Sequence, residues 1–260
     1  MISRTALLCV LGGLVASPAI AERLDWPSHV ERYDISGAKL GDTPEEAVAA
    51  LTAKGFECGP PAASVACRTS EQVRTPDGRT RTKAEIRLTF STLNLDDPMG
   101  QSDPVVGQMV FRQYYADPPT RTSLEQQLTQ KYGPLERSQS VAGWTRAGPE
   151  ADDITARQKA YDEQMKACQT LQNSSSADVA GKITCEIEKA DKEISLKAGQ
   201  GSRLVVTYPS DRAGTQLKIE ASWPALEAIR MLAMSRNGKS AQLQNYIASQ
   251  DKTPSGESTF

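Results

Sequence analysis

Ala84-Glu85-Ile86-Arg87-Leu88-Thr89-Phe90 alternates without a break, apolar at every even position and polar at every odd one. That is the period of a β-strand with one face buried and the other in water. The same alternation returns at the far end of the chain. There Leu217, Ile219, Ala221 and Trp223 interleave with Gln216, Lys218, Glu220 and Ser222. Val105 to Tyr115 and Arg203 to Tyr208 are predicted as further strands. Strands of this kind need a covering layer on their apolar side, which helices supply.

Working outward from Ala84, the preceding residues set out a helix and two turns. Thr43-Pro44-Glu45-Glu46 opens the helix: Thr43 can cap, Pro44 suits the first turn, and Glu46 can reach back as the capping-box partner. Ala47, Val48 and Leu51 form its apolar stripe, and Lys54-Gly55 ends it. Cys58 to Cys67 brackets Gly59-Pro60-Pro61, so the chain turns and returns. Thr75-Pro76-Asp77-Gly78 is a second turn, and Asp96-Asp97-Pro98-Met99-Gly100 a loop. The order is a helix followed by an antiparallel meander.

That order recurs. Leu51-Thr52-Ala53-Lys54 matches Leu128-Thr129-Gln130-Lys131 at a shift of 77 residues. At the same shift Thr43 falls on Thr120, Cys58 on Leu135, and Cys67-Arg68 near Trp144-Thr145-Arg146. The second copy is expected to replace the cysteine pair by an apolar pair, Leu135 and Trp144. Between Trp144 and Arg203 lie two helix-forming stretches, Asp152 to Leu171 and Val179 to Leu196, separated by Asn173-Ser174-Ser175-Ser176. Ile154, Tyr161, Met165 and Cys168 share one helical face, as do Ile183, Ile187, Ala190 and Ile194. This is a helical hairpin that either projects or packs on the body. The expected fold class is α+β: two tandem helix-on-antiparallel-sheet modules, residues 22–117 and 118–235, with a helical insertion at about 150–199. A helix from Pro224 to about Met234 follows, and residues 236–260 read as a polar C-terminal tail.

The first 21 residues read as a secretory signal peptide: Arg4, an apolar stretch from Ala6 to Ala16, and the small-x-small site Ala19-Ile20-Ala21. Leu8 precedes Cys9 where a lipid anchor needs a small residue, and the apolar stretch continues past it. Cleavage removes Cys9 and leaves Cys58, Cys67, Cys168 and Cys185. An even set in an exported chain reads as disulfides, with three pairings open; locality favours Cys58–Cys67 and Cys168–Cys185. A periplasmic or secreted location follows, with no membrane span.

The first module carries a resemblance. Gly41-Asp42-Thr43-Pro44-Glu45-Glu46-Ala47-Val48-Ala49-Ala50-Leu51, then Phe56-Glu57-Cys58, Val65-Ala66-Cys67-Arg68 and the strand to Phe90 resemble the β-lactamase inhibitor protein fold. Its helix opening is similar to that of the small outer-membrane assembly lipoproteins of the BamE type. The resemblance covers residues 36–90 best. It implies tandem modules, each a helical segment against an antiparallel sheet with a disulfide after the helix, and a role as a binding module. Asp42 stands where these families usually carry Met, and the second module lacks the hairpin disulfide.

Composition narrows the chemistry. Thirty Lys+Arg against 32 Asp+Glu give a formal charge of −2, which removes the general electrostatic case for nucleic acid or anionic membrane as the main partner. A single His, His29, counts against His-based metal sites and against Ser/His or Cys/His nucleophiles; it reads as a surface residue, and no metal or cofactor is expected. Ala233 to Ser240 fits a loose phosphate-loop pattern but follows a helix rather than a strand. Ser36-Gly37-Ala38-Lys39 has the spacing of penicillin-recognising enzymes without the helix that brings Lys beside Ser, and no Lys-Thr-Gly exists. Asp96, Asp97 and Asp103 read as a loop of solvated acids.

What remains is surface. If the apolar positions of the strands face the helices, the other face carries Glu85, Arg87, Thr89, Lys218, Glu220 and Ser222, and the strand register decides whether Arg112 and Tyr114 join them. Arg87, Arg112, Tyr114, Lys218 and Glu220 are the candidate binding residues, since Arg and Tyr dominate protein recognition. The reading is an exported, non-catalytic protein-binding module acting on a cell-envelope protein. A carboxylate-dependent hydrolase of glycan or peptidoglycan and an envelope assembly accessory are the alternatives.

Overall fold

The structure, a computed structural model, describes residues 26–92, 103–208 and 216–251. The expected signal segment, Asp96 and Asp97, and the last nine residues of the expected tail lie outside them.

The described chain opens with a hairpin of β1 (Asp34–Ile35) and β2 (Ala38–Lys39). Its turn residues Ser36 and Gly37 have φ of 57° and 98°, as a type I′ connection demands. Ser36 and Lys39 therefore sit on a hairpin with no helix between them. Helix α1 (Pro44–Thr52) starts in a capping box: Glu46 N–H donates to Thr43 Oγ1 at 3.2 Å, and Thr43 N–H donates to Glu46 Oε2 at 2.9 Å. Asp42, the departure from the resembled families, is a clip. Its carboxylate accepts from Lys39 N–H at 2.8 Å and from Arg32, and its carbonyl accepts from Val106 N–H.

Next come β3 (Phe56–Cys58), β4 (Ser64–Thr69), the small hairpin β5 (Gln72–Arg74) and β6 (Thr80–Thr82), then β7 (Ala84–Ser91) and β8 (Val105–Tyr114). The second module repeats the plan with α2 (Arg121–Tyr132), β9 (Glu136–Arg137), β10 (Gly143–Ala147), β11 (Arg203–Thr207) and β12 (Gln216–Ser222). One antiparallel eight-stranded sheet holds both modules in the order β3-β4-β7-β8-β12-β11-β10-β9. The order reads the same from either edge, module by module, with a seam where Phe111 of β8 faces Ile219 of β12. A local two-fold relation passes through that seam.

The relation can be checked residue by residue. Arg68 lies opposite Glu85 and Glu85 opposite Arg112; across the seam Thr145 lies opposite Val205 and Val205 opposite Glu220. Hence β4 and β10 correspond at the shift of 77 seen in the sequence, Cys67 falling on Trp144. The expected apolar pair is corrected: Trp144 faces Arg137, not Leu135, because α2 is longer than α1 by almost a turn and moves the following strand. Leu135 packs half-buried against the core just before β9.

One core lies under the helix-bearing side of the whole sheet. Ala47 and Leu51 of α1, Leu124 and Leu128 of α2, and Ile35 and Leu40 of the opening segment meet Ile86, Leu88, Met109, Leu204 and Ile219. Burial of each large side chain contributes about 1.5–3 kcal/mol.

The insertions occupy equivalent places, each between the second and third strands of its module. In the first it is β5–β6. In the second it is α3 (Ile154–Asn173) and α4 (Val179–Ala198), tied by Cys168–Cys185; Cys58–Cys67 closes the β3–β4 hairpin. The helical hairpin does not stand free. α5 (Ala225–Asp251) lies along α4, making a three-helix bundle. The bundle's root is a second core of Val30, Val105, Trp223, Leu226 and Ile229, with Ile194 and Ala198 of α4 packed on it. His29 is half-buried there, and its Nε2 meets the Ala198 carbonyl at the end of α4 at 3.1 Å, rather than being a plain surface residue. The polar stretch after Met234 is also corrected: it continues α5 to Asp251, held to α4 in part by Arg236–Asp191 at 3.0 Å. The phosphate-loop pattern at Ala233–Ser240 is therefore helix throughout. Among the described residues, no helix is long and apolar enough to cross a membrane.

Candidate functional site

The sheet face away from α1 and α2 carries the charged half of every alternating strand. Three rows cross it. Glu57, Arg68, Glu85, Arg112, Lys218 and Thr207 form one; Ala66, Arg87, Val110, Glu220 and Val205 the next; Ser64, Thr89, Gln108, Ser222 and Arg203 the third. All five candidate binding residues are on this face, including Arg112 and Tyr114, whose place depended on register. Of these five, Arg87 is exposed and the other four are half-buried.

Backbone register brings charges together across strands. Arg112 Nη1 donates to Glu85 Oε1 at 3.1 Å on the neighbouring strand. Glu220 accepts twice, from Lys218 Nζ at 2.9 Å and from Gln108 Nε2 at 2.7 Å. Burial would raise the Glu220 carboxyl. The hydrogen bonds from Lys218 and Gln108, with the positive charges of Lys218 and Arg203, outweigh it and hold the group below the ordinary glutamate range. Tyr114 is fixed from the other side, with the Arg81 guanidinium 5.0 Å from its ring centre. Arg87 differs from these: it has no ion-pair partner among the described residues.

Arg68, Arg81 and Gln108 were not among the candidates read from the sequence. The alternation of Val65 and Cys67, both buried, with Ala66 and Arg68 would have located the first. Gln108 follows from the same rule applied to β8. Arg81 carries no such signal, since β6 is three residues long and outside the main sheet.

Two hollows border the face. A polar one of about 250 Å³ lies over β4, β7 and β8. A more apolar cleft of about 490 Å³ lies where Gln108 and Ser222 meet Trp223, Leu226 and Arg230 at the start of α5.

Chemically the face offers fixed charges and donors. Glu220, held deprotonated by two donors, is unsuited to giving up a proton to a leaving group. The carboxyl that burial raises, Asp42, is on the opposite side of the fold and engaged by Lys39 N–H and Arg32. Among the described residues no group of three or more His, Cys, Asp or Glu could hold a metal ion. No protein-family model matches this chain, and neither a curated protein nor a solved structure matches it.

Proposed function

We propose that the protein is exported to an oxidising compartment, the periplasm or the exterior, and there binds a protein of the cell envelope through its open sheet face, without catalysis. The observation that carries this reading is the state of the face's side chains. Arg112, Lys218, Glu220 and Tyr114 are already held by neighbours on the protein's own surface. Binding such a face freezes few rotamers, and each frozen side chain otherwise costs about 0.5–1.5 kcal/mol. Two disulfides support the oxidising compartment.

The test is the double charge reversal Arg87→Glu, Arg112→Glu in the full-length chain. Both side chains reach solvent, so the melting temperature is expected to move little. A partner that co-purifies with the native protein from crosslinked envelopes is expected to be lost. Retention of that partner by a folded double variant would defeat the assignment of the face. Turnover of peptidoglycan or glycan fragments, lost on a single Asp or Glu to Ala change, would replace binding by hydrolysis.

A further inference from the structure

The polar hollow on the first module is charged in a way that specifies its occupant. Resting on the reading of the open face as a docking surface, we infer that this hollow takes a carboxylate, and that the partner presents an Asp- or Glu-rich segment to it.

Three guanidinium groups, those of Arg68, Arg87 and Arg112, line the hollow, with Glu85 as its anion. They arrive from adjacent strands. Arg68 and Arg112 flank Glu85 in one row, and Arg87 projects from the next row between Ala66 and Val110, neither of which offers it a polar group. Arg112 engages Glu85 through Nη1. Arg68 and Arg87 form no ion pair among the described residues. Glu57 lies opposite Arg68 on β3, at the outer end of the same row, so three guanidinium groups meet two carboxylates, Glu85 and Glu57, and an excess of one positive charge remains although the whole chain is at −2. The excess is local and does not follow from bulk composition.

The fold does not require it either. Across the two-fold relation the places of Arg68, Arg87 and Arg112 are held by Thr145, Thr207 and Glu220. The same backbone platform carries no cation in those positions in the second module. The three arginines are thus a property of one half only, which makes the face polar from end to end and sets the orientation of whatever lies across it.

A carboxylate fits the hollow better than other anions. At about 250 Å³ it is below the range of about 300–1,000 Å³ typical of small-molecule pockets, and suits one side chain. The guanidinium fork matches a planar carboxylate through two parallel hydrogen bonds, and Arg68 and Arg87 have forks to offer. A phosphate would bring up to two negative charges beside Glu85, whereas a side-chain carboxylate brings one.

The probe is a hexaglutamate peptide with blocked ends, titrated into the full-length protein and followed through the arginine Nε–Hε resonances. Saturable binding is expected, with shifts at Arg68, Arg87 and Arg112. Arg68→Ala and Arg87→Ala are each expected to weaken it about tenfold or more, Arg87→Lys to recover only part, and Arg137→Ala, on an exposed edge of the other module, to leave it unchanged. Absence of saturable binding, equal loss in Arg137→Ala, or stronger binding of inorganic phosphate or polyphosphate than of hexaglutamate would overturn the inference. A photo-crosslinker at Thr89 separates it from the reading beneath it. Capture of an envelope protein that is lost on Arg68→Ala, Arg87→Ala supports both. Capture at undiminished yield retains the face and removes the carboxylate hollow. Capture only from Gln242 on α5, and not from Thr89, removes the face itself.

Discussion

Cys67 and Trp144, 77 residues apart in the chain, hold equivalent places in the two halves of one sheet, each on the second strand of its module and pointing into a shared core. One half secures that strand covalently to Cys58. The other uses an indole, fully buried beneath the Arg121 guanidinium at 4.7 Å from the ring centre.

The second disulfide works on a different element. Replacing Cys168 and Cys185 together by Ala should lower stability by about 3 kcal/mol, since the bond closes a loop of 17 residues. Urea unfolding measures the loss. Peptide mapping without reductant should recover Cys168 joined to Cys185, and a Cys58–Cys168 peptide would refute the described chain path.

Trp223 joins the sheet to the helical bundle. It is 1% exposed, its ring meets Trp26 edge-on with centroids 5.2 Å apart, and its Nε1–H donates to the Gln200 carbonyl at 2.8 Å. Trp223→Phe keeps most of the packing but leaves that carbonyl unpaired, an expected cost of about 1–3 kcal/mol. Trp223→Ala should cost about 3–5 kcal/mol. Equal losses for the two variants would show that the hydrogen bond, not the ring volume, dominates.

Two glycines make opposite predictions. A Cβ on Gly143 would lie 1.8 Å from the Val206 carbonyl oxygen, a backbone atom in the paired strand. Gly143→Ala should therefore break the β10–β11 ladder and destabilise by at least about 3 kcal/mol. A Cβ on Gly238, inside α5, meets nothing within 4 Å. Gly238→Ala should raise stability by up to about 1 kcal/mol through helix propensity. Thermal melts of the two variants settle both signs.

Glu220 supplies a pH dependence. Its carboxyl is held lower in the folded protein than in the unfolded chain, so its contribution is present above the unfolded glutamate value of about 4.3. That contribution fades as pH falls through the lower folded value. Glu220→Gln should thus be less stable than the native protein by roughly 0.5–1 kcal/mol at pH 7, with the gap narrowing as the pH falls below the ordinary glutamate range. A gap that is constant over this range would remove the role given to Lys218 and Gln108.

Much of this was legible in the residues. Period-two alternation at Ala84–Phe90 and Gln216–Trp223 identified both strands and the face each side chain takes, because each strand has one wet and one dry side. Thr43 and Glu46 announced α1, since a capping box is a local device. Three features were not legible, each for a physical reason. The pairing of β8 with β12 joins strands about a hundred residues apart, which no local pattern encodes. The register of β9 depends on the length of α2, so a fixed shift misplaced Leu135. The second half of α5 is polar and contains Gly238; it is helical because α4 lies beside it, a tertiary cause that outweighs propensity. The charged cluster was half visible: alternation put Arg87 on the open face, whereas Arg112 waited on the register of β8 against β7, and Arg68 came beside them only through the pairing of β4 with β7.

The seam between β8 and β12 governs how the molecule can come together. The ten-residue strand β8 has β7 as a neighbour early, but its other rim of N–H and C=O groups stays bare until β12 has been added. Such late, distant closure makes for slow folding, and during the wait an unpaired strand invites pairing with another chain. In the finished molecule the outer strands are the short β3 and β9, three and two residues long, which leaves little rim for a stray strand to extend. Either half cut free at the seam would keep β8 or β12 as a long open rim, so the two modules, though alike, are not separable units.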